Sequence, residues 1–314
     1  MSKPSHKAQR VSRRSVLAWM AGGIGAVATA SVAGIELVDH GVLPGKQFLN
    51  EIDGACNVAS PTLSFAPLGP SSSGHFHSRA RRREVGFTIA YPPGHHLGDQ
   101  LPLIVMLHGF GDDHSSALSG MSPAQAVALR YSGRVTTATA MVTVDGGNGY
   151  WNPHPHDDPM GMVVDELIPM CQRRGLGATP EQIKLMGISM GGYGALAIAE
   201  RHQGLVTGVA AISPAIWTSY EEANAANQGA FVSATAFNDG DVITHAQNLR
   251  GVSVRVASGV DDPFHGGVVS FAKALPDRST VIFSSGCHDN AYFLAEEPQS
   301  VEFLSRTVVH GTPT

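Results

Sequence analysis

A serine between glycines is the first residue in this sequence that could act as a nucleophile. Ser189 stands in Gly187-Ile188-Ser189-Met190-Gly191, which matches the pattern G-x-S-x-G, and it directly follows the predicted strand Ile183–Ile188. At a strand-to-helix turn this pattern exposes the hydroxyl on a strained backbone, and the glycines let neighbouring segments come close. Glycines at such a turn can also serve helix packing alone, so the assignment depends on what the rest of the chain supplies to Ser189.

A histidine that takes the proton of Ser189 must lie at the same edge of the sheet as the serine. Five histidines follow the serine in the chain: His202, His245, His265, His288 and His310. His288 comes shortly after Val281–Ser284, a predicted strand whose carboxyl end is expected beside the turn at Ser189. His288 is therefore the predicted base.

An acid that orients this histidine is expected between the serine and the histidine in the chain. Asp261 and Asp262 follow the predicted strand Val252–Ala257 and emerge at the same edge. The Gly-x-x-Asp spacing after this strand selects Asp262, with Asp261 as the alternative. A surface Asp-Asp-Pro turn without a catalytic role is the remaining interpretation.

Attack on an ester also requires two backbone N–H groups that stabilise the developing negative charge. The residue after the nucleophile, Met190, supplies one of them. The loop His108-Gly109-Phe110-Gly111 follows the predicted strand Leu103–Leu107, and we assign the second N–H to Phe110. His108 is expected to hold this loop by hydrogen bonds rather than to act in catalysis.

Strand-like and helix-like segments alternate along the chain and predict a mostly parallel sheet with helices on both faces. At 314 residues and 43% hydrophobic content, the chain is long enough for one large α/β domain. The predicted strands are Val85–Tyr91, Leu103–Leu107, Ala140–Val144, Ile183–Ile188, Val206–Ile212, Val252–Ala257 and Val281–Ser284. The predicted helices are Pro123–Tyr131, Met160–Arg174, Tyr193–Arg201, Gly267–Ala274 and Pro298–Val308.

Two tryptophans are candidates for contact with a substrate. Trp151 lies in the His- and Asp-rich stretch 149–158, which we interpret as a rigid loop at the mouth of the site with Trp151 as an acyl or aromatic platform. The alternative for this stretch is a metal site, although no third ligand stands at a useful spacing. Trp217 opens a long insertion that runs to Arg250 and is predicted to form a cap facing the substrate.

The amino terminus resembles an export signal. Arg13 and Arg14 precede an uncharged run rich in Ala and Gly, Val16–Ile35, with Ala28-Thr29-Ala30 as a candidate cleavage site. We therefore divide the chain into a twin-arginine signal or retained membrane anchor (1–35), an irregular lead-in (36–80) and a catalytic domain (81–310). The expected location is secreted or in the cell envelope, with membrane association through the amino-terminal segment.

The charge and the cysteine content of the chain limit the kinds of partner and metal site that it could have. The net charge is -5, and the first thirty residues carry five basic side chains and no acid, so the remainder carries 16 positive and 26 negative charges, or -10. An acidic body argues against nucleic acid as a partner. The three cysteines, Cys56, Cys171 and Cys287, lack the spacing of a zinc site. A Cys56–Cys287 disulfide and three inert buried thiols are both open interpretations.

Five motifs in order resemble those of the esterase D and feruloyl-esterase-like α/β-hydrolases, a group that also includes the mycobacterial mycolyltransferases. They are TIAYPPG (88–94), LIVMLHGFGDD (103–113), GISMGGYGALAIA (187–199), SGVDDPFH (258–265) and GCHDNAYF (286–293). The resemblance implies the α/β-hydrolase fold with Ser189 as nucleophile, Asp262 as acid and His288 as base. Together with the twin-arginine leader it is most similar to the exported actinobacterial branch.

The resemblance and the residues together predict an exported serine carboxylic-ester hydrolase that forms an acyl-enzyme on small-molecule or lipid esters and needs no cofactor or metal. Gly191-Gly192 differs from the mycolyltransferases and favours a hydrolase over a transferase. The alternatives are an acyltransferase acting on envelope sugars or lipids, and a catalytically silent binding protein with the same fold. Cys287 replaces a glycine that is common before the histidine, which suggests that this loop is tethered.

Overall fold

The computed structural model describes residues 56–131, 134–135, 138–276 and 279–306. All of them belong to the unit of the chain that begins at Cys56. The predicted signal or anchor and the first part of the predicted lead-in lie outside the described residues. None of the helices in the described part is long and apolar enough to cross a membrane.

One eight-stranded sheet organises this unit. Its strands stand in the order β1-β2-β6-β3-β7-β8-β9-β10, and a separate pair is formed by β4 and β5. The six strands from β6 to β10 in this order are parallel to one another. At the other end of the sheet, β1 pairs antiparallel with β2, and β2 pairs antiparallel with β6. The strands are β1 Ser71–Ser78, β2 Arg83–Ala90, β3 Leu103–Leu107, β4 Arg130–Tyr131, β5 Arg134–Val135, β6 Ala140–Val144, β7 Ile183–Ile188, β8 Gly208–Ile212, β9 Ser253–Gly259 and β10 Thr280–Ser284.

Helices cover both faces of the sheet, as the sequence predicted. The α-helices are α1 Pro123–Val127, α2 Pro159–Gly161, α3 Ile168–Gln172, α4 Met190–Arg201, α5 Tyr220–Ala226, α6 Ala234–Gly240, α7 Val242–His245, α8 His265–Ala274 and α9 Asn290–Arg306. A π-helical turn, Met162–Leu167, joins α2 to α3, and the 3-10 turns are Pro180–Gln182 and Ala246–Leu249.

The central strands are buried on both sides because their side chains alternate between two cores. Leu103, Val105 and Leu107 of β3 belong to the core under α4 and α8, whereas Ile104 and Met106 belong to the core under α1 and α9. Every residue of β3 is buried, which explains the continuous apolar run in its sequence. The carboxyl ends of the parallel strands therefore meet at one edge, held rigidly between two packed layers.

Most predicted boundaries are within about three residues of the observed ones, but three assignments are wrong by four residues or more. Ser71–Ser78, assigned to the irregular lead-in, forms the edge strand β1, whose mostly exposed polar residues carry no apolar alternation. Helix α1 ends at Val127, because the following residues pair with an upstream segment through Ala66 N–H to Ala128 O (2.8 Å) and Arg130 N–H to Ser64 O (2.8 Å). Helix α9 begins at Asn290, so Pro298, predicted as its first residue, lies inside the helix.

Candidate active site

Ser189 forms the turn between β7 and α4 and has an unusual backbone. Its φ of 54° and ψ of -118° lie where a residue with a side chain is rarely found. Two backbone hydrogen bonds, one to the last residue of β8 and one to the segment after it, hold this conformation: the Ser189 N–H donates to Ile212 O (2.9 Å), and Ser189 O accepts from the Ala215 N–H (3.0 Å). The neighbouring strand thus maintains the strain that points the serine away from the helix.

The glycines around Ser189 are required by close backbone contacts. A Cβ added to Gly187 would lie 2.1 Å from Gly191 O, and one added to Gly191 would lie 2.0 Å from Leu107 O. No side chain fits at either position, because the turn and the end of β3 pack backbone against backbone. The packing interpretation is therefore correct for these two glycines, and Ser189 between them remains half-buried rather than fully buried.

The side chains of Ser189, His288 and Asp262 form one chain of hydrogen bonds. Ser189 Oγ lies 2.8 Å from His288 Nε2, and His288 Nδ1 lies 2.9 Å from Asp262 Oδ2. An ionised carboxylate only accepts hydrogen bonds, so the imidazole carries its proton on Nδ1 and the serine hydroxyl donates to Nε2. The structure therefore brings together the three residues selected from the sequence, with Asp262 rather than Asp261 on the histidine.

Burial and a second hydrogen bond fix the Asp262 carboxylate. Its side chain is fully buried, and Oδ1 accepts from the Phe264 N–H at 2.8 Å. With Oδ1 occupied in this way, Oδ2 is held in line with the imidazole. The loop that provides this acid therefore also provides the backbone group that orients it.

Two phenylalanines enclose the imidazole of His288. Phe264 and Phe293 each place their ring centroid 5.0 Å from that of His288, and the side chain of His288 is 17% exposed. Trp217 packs in turn against Phe264, with centroids 4.7 Å apart. Neither phenylalanine was predicted at the site, although both stand within the motifs around Asp262 and His288. Phe264 follows the acid by two residues and Phe293 follows the histidine by five.

The predicted oxyanion loop lies beside the serine. A Cβ on Gly109 would be 3.8 Å from Ser189 Cβ, so the loop that carries Phe110 passes next to the nucleophile. Met190 is the first residue of α4, where the helix offers its N–H no acceptor. Phe110 has an exposed side chain and is followed by Gly111, whose φ is 87°.

His108 holds this loop in place from below. The Gly146 N–H donates to His108 Nε2 (2.8 Å), so Nδ1 carries the proton and donates to Gly109 O (2.7 Å). His108 is fully buried, and burial lowers its pKa. A neutral imidazole thus bridges the ends of β3 and β6, which is the structural task expected for it from the sequence.

Trp151 does not have the position predicted for it. Its side chain is completely buried, its indole N–H donates to His108 O (3.3 Å), and it packs against Gly146 and Gly194, where any side chain would collide with the ring. A substrate platform must be accessible, so the predicted substrate contact of Trp151 is wrong. Trp151 instead supports the loop 108–111 through its hydrogen bond to His108. Trp217 packs against Phe264, which in turn contacts the imidazole of His288.

Three acidic or histidine residues of the stretch 149–158 have structural partners. His154 Nε2 bonds Gly149 O (2.8 Å), Asp157 binds the buried guanidinium of Arg81 (2.7 Å), and Asp158 caps α2 by accepting from the Gly161 N–H (2.8 Å). Within the described residues, metal-ligand distances occur for one group only, formed by Cys56, Cys287 and Asp289. The two sulfurs of that group are joined in a disulfide and offer no thiolate.

A disulfide between Cys56 and Cys287 stands directly before the histidine, with Cα atoms 5.0 Å apart. It confirms the predicted pairing and excludes the alternative of three free thiols. Cys171 is the free cysteine and is buried in α3. The loop of His288 is thus tethered, as the replacement of a glycine by Cys287 suggested.

A mostly parallel sheet of this order, with Ser189 in the turn after β7 and His288 after β10, is the α/β-hydrolase fold. Solved structures agree with this fold. They include a ferulic acid esterase (19% identity, TM-score 0.64, 77% of this chain and 99% of the other) and a substrate-bound, fluorophosphonate-binding serine hydrolase of Staphylococcus aureus (14%, 0.61, 76% and 100%). An S-formylglutathione hydrolase from Agrobacterium tumefaciens is similar as well (15%, 0.61, 78% and 98%).

The family follows from the sequence match. Residues 78–279 match the model of the Esterase family, described as "Putative esterase". This is more than half of the chain, so the protein belongs to that family and is a carboxylic ester hydrolase. No sequence among curated proteins matches it.

Proposed function

We propose that this hydrolase is a serine esterase that forms an acyl-enzyme on Ser189, with His288 as general base and Asp262 as the residue that orients it. The observation that carries the proposal is the continuous hydrogen-bonded chain from Ser189 Oγ through both nitrogens of His288 to Asp262 Oδ2. In α/β-hydrolases the triad residues occur along the chain in the order serine, acid, histidine, and Ser189, Asp262 and His288 follow this order. We also propose that it belongs to the exported actinobacterial branch of the feruloyl-esterase-like group, with support from its five motifs and from Arg13-Arg14.

In the first half of the reaction, His288 Nε2 takes the proton of Ser189 Oγ as that oxygen attacks the carbonyl carbon of the ester. The carbonyl electrons move onto its oxygen, which accepts hydrogen bonds from the N–H groups of Met190 and Phe110. When the intermediate collapses, the bond to the alcohol oxygen breaks and His288 returns its proton to that leaving group. The acyl group remains on Ser189.

In the second half, a water molecule gives a proton to His288 Nε2 and attacks the acyl carbon. Collapse of this second intermediate releases the acid, and the proton returns to Ser189 Oγ. Asp262 stays ionised throughout and stabilises the imidazolium that forms in each half. The aromatic residues Trp217, Phe264 and exposed Phe110 stand around the site, which suits an apolar part of a small-molecule or lipid ester.

The decisive experiment replaces Ser189 by alanine and follows hydrolysis of short p-nitrophenyl esters together with labelling by a fluorophosphonate probe. Ser213→Ala is the matched control, because Ser213 directly follows the adjacent strand β8 and, like Ser189, has a positive φ (43°). We expect Ser189→Ala to lose roughly 10⁶-fold in kcat and all labelling, and Ser213→Ala to keep both. Activity or labelling retained by a folded Ser189→Ala protein would contradict the triad.

We further propose that the protein is exported by the twin-arginine route to the outside of the cell or the cell envelope. Support comes from Arg13-Arg14 and the uncharged run that follows, and from the Cys56–Cys287 disulfide, which is a bond typical of oxidising compartments. Replacing both arginines by lysine should keep the protein in the cytoplasm. The amino-terminal sequence of exported protein then distinguishes a cleaved signal from a retained anchor, and unchanged export of the variant would refute the route.

A further inference from the structure

The backbone of the loop that carries His288 is held by hydrogen bonds at both ends of the loop, but not at the histidine itself. On one side, Gly286 O accepts from the Asp261 N–H (3.1 Å). On the other, Asp289 caps α9, accepting from the N–H groups of Tyr292 and Phe293 (2.9 and 3.0 Å). Within the described residues, no backbone hydrogen bond involves Cys287 or His288. The imidazole is hydrogen-bonded to Asp262 and Ser189, but the nearest restraint on the backbone that carries it is the bond from Cys287 to Cys56.

Cys56 is a firm anchor for that bond because the segment after it is attached to the body of the enzyme. Residues 64–66 pair with residues 128–130 through two backbone hydrogen bonds of 2.8 Å each, and the Tyr91 N–H donates to Pro70 O (2.9 Å). Val58, two residues from Cys56, packs into the core under α1 and α9. A Cβ on Gly286 would lie 3.0 Å from Val58, so the segment also covers the histidine loop.

We propose that the Cys56–Cys287 disulfide is the positioning element of His288, so that ester hydrolysis at Ser189 requires this pair to be oxidised. The inference rests on the proposed triad. Cys287 is the residue directly before the base, and a loop released there shifts the imidazole relative to Ser189 Oγ and Asp262 Oδ2. Displacement of a catalytic group by about 1 Å is enough to cost on the order of 100-fold in rate.

The redox step is a thiol–disulfide exchange. A dithiol such as dithiothreitol gives two electrons and two protons to the Cys56–Cys287 bond, producing two thiols while the reagent closes to its cyclic disulfide. Reformation of the bond needs a disulfide oxidant, which is reduced as the two protein thiols lose their protons and electrons. In a reducing compartment the pair is therefore open and the enzyme slow, and transfer to an oxidising compartment raises its activity.

The test compares oxidised and dithiothreitol-reduced enzyme on a p-nitrophenyl ester, with Cys56→Ser as the genetic equivalent of reduction. We expect kcat to fall by about 10- to 100-fold with KM changed less than about threefold, and reoxidation to restore the rate. The pH profile of kcat/KM should shift as well, because the imidazole of His288 no longer keeps its fixed hydrogen bond to Asp262. Cys171→Ala, which leaves the disulfide intact, should respond to dithiothreitol as wild-type enzyme does.

Near-ultraviolet circular dichroism of the same samples separates positioning from folding. A reduced enzyme with native dichroism and lowered kcat supports the proposal. Equal kcat in both redox states overturns it, and so does a loss of dichroism parallel to the loss of activity, which would assign the disulfide to global stability. Failure of the triad itself gives a different result, since oxidised Ser189→Ala would then remain active.

Discussion

Asp262 holds His288 with a single carboxylate oxygen, because its other oxygen is occupied by the Phe264 N–H 2.8 Å away. The carboxylate is thereby prevented from rotating, and it determines which imidazole nitrogen carries the proton. A serine hydrolase depends on this choice, since only the Nδ1–H form leaves Nε2 free to accept the serine proton.

Asp262→Asn is expected to keep the geometry while removing the charge and reversing the preferred tautomer. We expect kcat to fall by about 10⁴-fold with little change in KM. Asp261→Asn, one residue away on the same loop, is the matched control and should stay within about threefold of wild type. Steady-state kinetics on one ester measure both, and equal losses in the two variants would show that Asp262 has no special role.

Substitution of Trp151 should affect the stability of the protein, whereas substitution of Trp217 should affect its substrate specificity. Trp151→Phe removes the donor to His108 O from a fully buried site, so we expect the free energy of unfolding to fall by about 1–3 kcal/mol with KM unchanged. Trp217→Ala should instead change the relative kcat/KM values across an ester panel that varies in acyl length, since Trp217 packs on Phe264 beside His288. Urea denaturation and the ester panel, applied to both variants, measure the two effects; a reversed pattern would refute both assignments.

Glu200 should make stability fall as the pH rises. This residue near the end of α4 is 2% exposed, and burial, reinforced by the Asp241 charge, raises its pKa from 4.5 to about 9. Between these values the unfolded chain has lost the proton that the folded protein keeps, so the free energy of unfolding decreases with rising pH. From pH 7 to 9 the decrease should be on the order of 2–3 kcal/mol.

Glu200→Gln removes this titration and should flatten the dependence of the free energy of unfolding on pH above 7. The buried Glu297, whose pKa is raised to about 7, acts in the same direction mainly below that pH. The exposed Glu221→Gln in α5 serves as the control and should keep the wild-type slope. Urea denaturation at pH 7, 8 and 9 decides the matter, and an unchanged slope in Glu200→Gln would count against the buried neutral carboxyl.

Gly191→Ala and Gly266→Ala test the close packing of the nucleophile turn. The added methyl group at Gly191 would lie 2.0 Å from Leu107 O, whereas at Gly266 no atom lies within 4 Å. We expect Gly191→Ala to lose more than about 3 kcal/mol of stability and most of its activity. Gly266→Ala in α8 should be neutral or gain up to about 1 kcal/mol, because alanine favours the helix. Thermal unfolding of the two variants provides the comparison.

The sequence was sufficient for the parts of the fold in which local pattern and burial agree. β3 is a continuous apolar run, and β6 and β7 are apolar except for Thr143 and Lys184, because all three strands are buried on both sides; their predicted bounds match the structure. The carboxyl ends of parallel strands share one edge, so Asp262 and His288 could be selected from their positions after β9 and β10. The order of the motifs therefore carried three-dimensional information.

The misplaced elements are those determined by distant contacts. β1 is an exposed edge strand, so its Ser, Gly and His residues need no apolar alternation. Pro298 lies inside α9, although proline is typical of the first position of a helix and was predicted there. The burial of Trp151 depends on Gly146 and Gly194, which stand 5 and 43 residues away in the sequence and contact the ring only after folding. No local signal distinguishes such a tryptophan from an exposed one.

Cys171 gives the oxidised protein an internal reporter of its own opening. It is the one thiol left among three cysteines once Cys56 and Cys287 are joined, it is fully buried, and burial raises its pKa to about 12. A thiol reagent can react with it only in molecules whose core has transiently opened. The rate of this labelling, divided by that of an unfolded reference, therefore measures how often the native enzyme opens, without any probe being introduced.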